Sequence, residues 1–584
     1  MLAGQHNLFA FRALHQQLGF GHFRRLKCYR MRKATLLSLL VTSALAGGWL
    51  FAAELSEVYE SPVPPKPAGQ LDRIVFAKLD KLGVKPAICS DAVFIRRAYL
   101  GVIGTLPTAD EVREFLKDES PEKRSRLIDR LLERREFADY WSMKWGDILR
   151  IKAEIPVNLW PNAARAYHRW VWGSILENKP YDQFVREMLT ASGSNFRVGP
   201  VNFYRAIQDK TPTGIASAVA LTFMGARTDN WPKERLEGMA VFFSQISYKP
   251  TSEWKEEIVF WDPVQVKAVP GNFVPGRDTP GTIRPKPKNE PEAPQVPPPP
   301  VGPLKAVFPD GTAVVLPPDR DPREVFADWL ISPQNPWFTR CIVNRVWAWL
   351  LGRGIIHEPD DIRDDNPPSN PELLAYLQKE FIASKYDMRH LYRLILQSQT
   401  YQFSSIPRDT RPEAAANFAS YMPRRLDAEV LIDAINKITG TTDLYTSPIP
   451  EPYTYIPRDM PAIALADGSV TSPFLALFGR SARATGMASE RSNKPVPAQW
   501  MHMLNSSHIY NKLVTGPSIR AIYESSRPPE EMIAELYLTI LSRLPAEEEL
   551  KIAREYLQAN RGRREAAIDI AWALINSTEF LYSH

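Results

Sequence analysis

The chain has 584 residues, more than one hydrophobic core usually supports, so two or three domains are expected. With 44% hydrophobic and 24% charged residues, its composition is that of a globular protein and excludes a disordered or fibrous chain. The formal charge of +6 comes from the first 33 residues, which hold seven Lys and Arg and no Asp or Glu. The remainder is close to neutral, so charge gives no reason to expect a nucleic-acid partner.

The N-terminus has the pattern of an export signal. Two basic residues precede the uncharged run Ala34–Ala53, which contains small-residue cleavage sites. We therefore expect residues 1–53 to be a leader, with Met31 as the true start, and the protein to be exported to the periplasm or cell envelope. The alternative is an uncleaved anchor, because about 20 apolar residues can span a bilayer. Membrane contact is expected only through such a leader.

Helical patterns begin after a short proline-rich stretch. Residues 54–70 are predicted to be a tether, and residues 71–247 an all-helical N-terminal domain. Its helix starts are marked by Ser90 as N-cap, by a capping box beginning at Thr108, and by Ser120 as N-cap before a proline. Tryptophans at helical spacing favour large packed interfaces within this domain.

The middle of the chain has a different character. Residues 248–318 are predicted to be a Pro-rich linker in which "EEIVFW" and "GTAVVL" form short β-strands. Helices resume in a C-terminal domain, residues 319–584, with Asn335 and Asn370 as N-caps and Gly352 as a helix end. The predicted fold class is mainly α: two helical domains joined by a Pro-rich linker with a small β-like unit.

One stretch occurs twice. Tyr99–Val112 and Tyr537–Leu550 share Tyr, Leu, Leu-Pro and Glu at identical spacing. A repeat of about 40 residues fits a helical hairpin used once at each end of the chain. Such a hairpin packs against other helices and implies no chemistry.

Two polar stretches could form a site. The first, Gly352–Leu374, admits three interpretations: entry to a helix, a binding pocket, or a site for a hard cation. The second, Gly479–Trp500, has an arginine group that could grip a carboxylate, phosphate or sulfate, or could form ion pairs between helices. Arg345 is expected to pair with Asp328 or Asp361. The candidate polar binding cluster comprises Asn344, Arg345, Arg353, His357, Asp361, Arg480, Glu490 and Arg491.

The recognised cofactor and catalytic motifs are not found in the sequence. It contains no H-E-x-x-H, C-x-x-C-H, G-x-S-x-G, P-loop or dinucleotide fingerprint. No catalytic, cofactor-binding or metal-binding residue is therefore assigned, and no cofactor is expected. Export would permit a disulfide, but we expect Cys89 and Cys341 to be independent buried thiols.

Long stretches of the chain resemble a known family. Residues 316–405, beginning "LPPDRDPREVFADWL", and Glu490–Ser506, "ERSNKPVPAQWMHMLNS", are similar to the planctomycete-type C-terminal domain of unknown function. "LDRIVFAKL", "RRAYLGVIGTLPTADEVREFL" and "YWSMKWGDILR" resemble its usual N-terminal partner, the planctomycete cytochrome C-like domain. The resemblance implies an exported, largely helical protein of uncharacterised function. Its members are often encoded beside a sulfatase-like protein.

The chain departs from that family at three places. Relatives often carry C-x-x-C-H after a "TFLG"-like run, but Leu221–Phe243 has neither Cys nor His. Relatives often have a C-x-C pair where this chain has Met487 and Ser489, and an Asp where it has Gly101. Covalent c-type haem needs two thiols and an imidazole, so the cytochrome label is not carried over. Joint loss of both cysteine pairs is expected if they served one site.

Three functions remain open from the sequence. The first is a haem-free binding or scaffold subunit at the cell envelope, whose partner would be a sulfatase-like exported protein or an anionic glycan. The second is a carboxylate-dependent hydrolase acting on an exported glycan, which needs two carboxylates across a cleft, one with a raised pKa. The third is a relict electron carrier, which would show a Soret band.

Overall fold

The computed structural model describes residues 58–267, 269, 303–560 and 562–584. The predicted leader and most of the predicted Pro-rich linker lie outside the described residues. Within them the fold is mainly α, as predicted.

The first segment, residues 58–267, is helical and ends in a small antiparallel sheet. The sheet has the order β1–β3–β2, and β2 and β3 form a hairpin in which Ile246 pairs with Trp261. Its elements are α1 (Gln70–Leu82), α2 (Asp91–Val102), α3 (Ala109–Lys117), α4 (Lys123–Glu133), α5 (Arg135–Ile148), α6 (Pro161–Leu176), α7 (Tyr181–Thr190), β1 (Gly193–Ser194), α8 (Asn202–Ala206), α9 (Pro212–Val219), α10 (Lys233–Ala240), β2 (Ile246–Pro250) and β3 (Glu257–Trp261).

The second segment, residues 303–584, begins with a two-stranded hairpin and continues in helices. The two predicted β-like runs are confirmed as β3 and β5. Its elements are β4 (Lys305–Val307), β5 (Ala313–Val315), α11 (Pro322–Leu330), α12 (Phe338–Leu351), α13 (Pro371–Ala383), α14 (Met388–Leu396), α15 (Pro412–Ala416), β6 (Arg424–Arg425), α16 (Ala428–Thr439), α17 (Pro473–Leu477), α18 (Pro497–Asn505), α19 (Ser507–Thr515), α20 (Pro517–Tyr523), α21 (Pro529–Leu541), α22 (Glu547–Ala559), α23 (Arg563–Ile575), α24 (Thr578–Leu581) and β7 (Tyr582–Ser583).

Most of the predicted helix starts are confirmed by their caps. Ser90 accepts a hydrogen bond from the Val93 N–H, and Asn370 caps α13. Thr108 forms the predicted reciprocal capping box at the start of α3. The start predicted at Ser120 is wrong, because a turn closed by a hydrogen bond to the Ser120 carbonyl precedes α4.

The end of the predicted tether is bound to the folded body. The Tyr59 carbonyl accepts a hydrogen bond from the Ser90 N–H, and the Tyr59 hydroxyl donates to Glu579. Glu60 is buried and pairs with Arg408 at 2.5 Å. Residues 58–61 therefore connect the first segment to two distant parts of the second.

The two segments share one hydrophobic core. Helix α13 packs on α1, α11 packs on α7, and the hairpin helices α3 and α21 contact each other. In the centre, the Trp141 ring of α5 lies 4.4 Å from the Tyr392 ring and 5.5 Å from the Trp349 ring. Successive segments of the chain thus supply opposite walls of the same interior.

Buried polar side chains reinforce this contact. Asp72 of α1 accepts hydrogen bonds of 3.0 Å from the backbone N–H groups of Gln399 and Thr400. Arg96 of α2, which is fully buried, donates to the carbonyls of Ile540 and Phe580. Removing one partner while the other stays buried costs about 1–3 kcal/mol, so these hydrogen bonds help to hold the two segments in one arrangement.

The two cysteines of the described chain are free. Cys89 and Cys341 are both buried and unpaired, as predicted. Among the described helices, none is both long enough and apolar enough to cross a membrane.

The shared core predicts that neither segment folds alone. Residues 58–267 and residues 303–584, produced separately, should each lack a cooperative thermal transition and near-ultraviolet circular dichroism, because each exposes its half of the core. Co-expressed, they should purify as a complex with both properties restored. As a control, the full chain cut at a protease site introduced between residues 267 and 303 should stay associated. Two independently cooperative fragments would contradict the shared core.

Candidate functional site

A fully buried ion pair anchors the first polar stretch. Arg345 of α12 donates from Nη2 to the Asp360 carboxylate at 2.8 Å, and from Nη1 to the Thr222 carbonyl at 2.8 Å. Burial opposes the charge of Arg345, but Cys341 and Asp360 raise the pKa of its guanidinium. The pair keeps both charges inside the core and joins α12 to the first segment.

The partner expected for Arg345 is therefore corrected to Asp360. Asp361 turns toward the surface and pairs with Arg363 at 3.2 Å. Asp328 lies on the exposed face of α11, where it pairs with Arg186 and Arg320. Of these two consecutive aspartates, Asp360 faces the core and Asp361 faces the surface.

The remainder of this stretch forms the entry to a helix. The Asn344 side chain both donates to and accepts from the backbone of Ile356. Asn366 donates to the His357 and Asp361 carbonyls, and Asn370 caps α13. The helix-entry interpretation is thus confirmed. The His357 side chain is 37% exposed. The burial of the rest of its imidazole, together with the nearby charge of Arg353, lowers the pKa of this group.

Two departures from the family pattern meet at this ion pair. Besides Arg345, Asp360 accepts a hydrogen bond of 2.8 Å from the Ala488 N–H, between Met487 and Ser489. On the other side, Arg345 donates to the Leu221 carbonyl, which opens the segment without Cys or His. The two places where the resemblance implies cysteines in relatives therefore adjoin one buried salt bridge.

The residues at this junction do not fit a covalently bound haem. The nearby thiol, Cys341, lies 3.9 Å from the Thr222 carbonyl. Burial raises the pKa of this thiol to about 11, so it stays protonated at neutral pH. A second thiol and an axial imidazole, which c-type attachment requires, are absent from Leu221–Phe243. In the part of the chain that the structure describes, no group of three or more His, Cys, Asp or Glu is arranged to hold a metal ion.

A larger network of charges lies between α5 and the second polar stretch. Asp147 near the end of α5 accepts from Arg483 Nε at 3.0 Å and from Arg491 Nη2 at 2.8 Å. Arg483, which is fully buried, also donates to the carbonyls of Ile151 and Ala466. One carboxylate of the first segment thus holds two arginines of the second.

Two carboxylates at the start of α16, Asp427 just before the helix and Glu429 in its first turn, complete the network. Glu429 is fully buried and accepts from Arg480 Nε at 3.1 Å and from Arg491 Nη1 at 2.5 Å. Asp427 accepts from Lys144 Nζ at 2.5 Å. Arg491 is thereby shared between Asp147 and Glu429, which belong to different segments.

The network determines the charge state of its members. Burial alone would raise the pKa of the Asp427 and Glu429 carboxyl groups. Lys144 and Arg491 instead hold the pKa of Asp427 well below its usual range, and Arg491 and Arg480 do the same for Glu429. Burial likewise opposes the charge on Arg491, yet the carboxylates raise the pKa of its guanidinium. Asp427, Glu429 and Arg491 therefore stay ionised at neutral pH, and their opposite charges compensate one another.

The eight candidate residues thus form two groups rather than one cluster. Asn344, Arg345, Arg353, His357 and Asp361 lie around the entry to α13, and Arg480, Glu490 and Arg491 around the network. Among the described residues, Glu490 forms no ion pair; it accepts hydrogen bonds from the backbone N–H groups of Ala484 and Thr485 and shapes the loop. Arg483, which belongs to the arginine group of the second polar stretch, lies in the network as well. The network residues that sequence reasoning missed are Lys144, Asp147, Asp427, Glu429 and Asn493.

An open cleft lies beside the network. It has a volume of about 300 Å³ and is lined in part by Glu136, Asp433, Lys437 and Asp459. Burial, with Glu429 and Asp443 adding to it, raises the pKa of Asp433 to about 7, although its carboxylate accepts two backbone N–H groups. A second cleft of about 260 Å³ shares Lys437 with it.

Comparison with known families places both halves of the chain. Residues 70–235 match the profile of a family described as a protein of unknown function (DUF1549), and residues 322–557 match another described as a protein of unknown function (DUF1553). This is the planctomycete two-domain arrangement that the sequence resembles. The chain belongs to this two-domain family. No curated protein and no solved structure matches it.

The charge network joins the two regions of the chain that match the two family profiles. Asp147 lies within the DUF1549 match, whereas Asp427, Glu429 and Arg491 lie within the DUF1553 match. The network is therefore a contact between the two halves that define the family. Because both descriptions state an unknown function, the membership transfers no activity.

We predict that the Glu429→Gln substitution lowers the free energy of unfolding by about 3–5 kcal/mol, because it leaves the buried Arg480 guanidinium without its carboxylate and removes one of the carboxylates that hold Arg491. Urea denaturation followed by circular dichroism measures the loss. The matched control is Glu524→Gln, which removes an exposed ion pair with Arg520 and should cost less than about 1 kcal/mol. Equal losses in the two variants would show that the network does not stabilise the fold.

Proposed function

We propose that the protein is an exported, haem-free binding or scaffold subunit at the cell envelope. The observation that carries this proposal is the pairing of the candidate arginines. Arg345, Arg480 and Arg491, which could have gripped an anion, are engaged by Asp360, Glu429 and Asp147. Their charges hold the two halves in one arrangement, which is what a rigid binding platform requires.

An exposed aromatic surface supports the proposal. Tyr453 and Tyr455 are 47% and 67% exposed, and Ile155, on the neighbouring loop, is 81% exposed. The Trp160 ring contacts the Tyr453 ring at 5.3 Å, and Arg165 donates to the Tyr453 carbonyl, so the two loops support each other. Rigidly held aromatic side chains at the surface are typical of binding sites.

The partner we propose is a sulfatase-like exported protein, with an anionic glycan as the alternative. Tyrosine and tryptophan provide large contact areas at low cost in side-chain entropy, which suits a protein interface. The cation of Arg165 beside the tyrosines would instead favour an anionic glycan. Both partners would use the same surface.

We predict that the full chain, cross-linked and isolated from native envelope fractions, carries a stoichiometric protein partner. The double substitution Tyr453→Ala and Tyr455→Ala should weaken binding of that partner at least about tenfold, because exposed aromatic residues are typical hot spots. Binding is measured by titration calorimetry with the recovered partner.

The control is Trp254→Ala, which removes a 69% exposed aromatic ring from the β2–β3 hairpin and should leave binding unchanged. The chain could instead be recovered without a protein partner and bind sulfated but not neutral glycan through the two tyrosines. That result would identify the anionic glycan as the partner. Recovery alone with no glycan binding would refute the proposed function.

The Asp433 cleft favours a second candidate function, a carboxylate-dependent hydrolase. The hydrolase hypothesis places the required carboxylates in Gly352–Leu374, but there Asp360, Asp361 and Asp365 form ion pairs with arginines. In the Asp433 cleft, a carboxyl group with a pKa near neutrality faces a space also lined by Glu136 and Asp459. A protonated carboxyl at neutral pH is the requirement for a general acid.

If this second function holds, Asp433→Asn should lower kcat for glycan hydrolysis at least about 100-fold with little change in KM. The wild-type rate should fall as pH rises through about 7, because the acid loses its proton there. The control Asp319→Asn changes an exposed carboxylate and should leave the rate unaltered. An unchanged rate in Asp433→Asn would remove this cleft from consideration.

A further inference from the structure

A third, smaller cavity, separate from the two clefts beside Lys437, lies at the junction of α2, α5 and strand β6. Its volume is about 50 Å³. The polar side chains in its wall come from both halves of the family match, and several of them are cationic. They are Tyr140, Lys144, Arg424, Arg425, Asp427, Asn493 and Ser583.

The cavity wall has more positive than negative charge. Lys144, Arg424 and Arg425 face a single carboxylate, Asp427. Asp427 is already engaged by Lys144 at 2.5 Å and lies 3.8 Å from Arg491. Two guanidinium groups in the wall, those of Arg424 and Arg425, therefore have no carboxylate partner among the described residues, whereas Arg345 and Arg491 each pair with one.

Carbonyl groups, an amide and a hydroxyl take up only some of the guanidinium donors. Arg424 donates to the carbonyls of Trp349 and Leu350 at the end of α12 and to the Tyr421 hydroxyl. Arg425 is only 6% exposed and donates to the carbonyls of Phe478 and Ser492 and to the Gln499 side chain. The Nε atoms of both arginines are buried and have no hydrogen-bond partner among the described residues.

An unmatched buried guanidinium is costly. A buried donor without an acceptor costs about 1–3 kcal/mol, and more when the group is charged. Native interiors rarely retain such groups, so each one calls for an explanation such as a bound ion. Here the buried Arg425 and the partly buried Arg424 follow each other in β6, next to an open space.

The size of the cavity limits what could fill it. A water molecule needs about 10–15 Å³ of such space, so 50 Å³ has room for about three to five water-sized groups. A single tetrahedral oxyanion matches this volume, and planar guanidinium groups match its oxygens. A nucleotide or a sugar ring would not fit inside.

We propose that this cavity binds a small oxyanion, phosphate or sulfate, either as a free ion or as the terminal group of a larger molecule, through Arg424, Arg425 and Lys144. The site does not depend on the proposed scaffold function. The Asn493 amide and the Ser583 hydroxyl, which also line the cavity, are further hydrogen-bonding groups for the anion.

The test is equilibrium binding to the full chain at fixed ionic strength. Titration calorimetry with inorganic sulfate, inorganic phosphate, methyl phosphate and glucose 6-sulfate should show one saturable site for at least one of them, with chloride as the ionic-strength control. Binding of the inorganic ions alone assigns a free anion, and tighter binding of an ester assigns a terminal group. No saturable binding of any of the four would overturn the proposal.

Variants show whether the binding site is this cavity. Arg425→Gln should weaken binding at least tenfold, whereas Arg425→Lys, which keeps the charge, should retain part of it. Arg411→Gln, which removes an exposed guanidinium, should bind like the wild type. Undiminished binding in Arg425→Gln would refute the assignment.

Locating the anion by crystallography in the unaltered chain does not depend on whether the Arg425 variants fold. Crystals of the unaltered chain soaked in selenate, a sulfate analogue, should show a selenium anomalous peak between Arg424 and Arg425. A peak only at other positions, or only water in the cavity, would overturn the proposal.

Discussion

The arrangement of the whole molecule depends on one shared guanidinium, that of Arg491. It contacts Asp147 from the first segment and Glu429 from the second, and all three side chains are withdrawn from water. A buried charge is tolerable only when it is paired and hydrogen-bonded. Neither segment can bury its own part of this network without the other, so the charges determine how the two halves of the family fit together.

Because of this constraint, the buried charges serve to hold the fold together, and only the surface is left for binding. The arginines that looked suited to anion recognition are used for cohesion, and the surface that remains available is aromatic, around Tyr453, or concave, around Asp433. Replacing a buried ion network by apolar residues is often neutral or stabilising, so its value lies more in specifying one arrangement than in adding stability. A fixed arrangement of the two halves is what either a binding platform or a cleft between helices needs.

Local features of the fold could be predicted from the sequence, and long-range partners could not. Thr108 and Asn370 were identified as caps because a cap is satisfied within three residues. Ser120 was misassigned because a turn and a helix start use the same residues. The pairing of Asp147 with Arg483 spans 336 positions, and nothing in the local pattern around either residue indicates it. Even at a separation of 15 positions, the sequence could not show that Asp360 rather than Asp361 faces Arg345.

The contrast between two buried arginine sites bears on how this chain differs from its relatives. At Arg345 the positive charge is matched by Asp360, and the neighbouring segments that lack cysteines are closed over that pair. At Arg425 no carboxylate matches the charge, and the adjoining space stays open. Positive charge is in excess around this space, and the proposed anion would neutralise it.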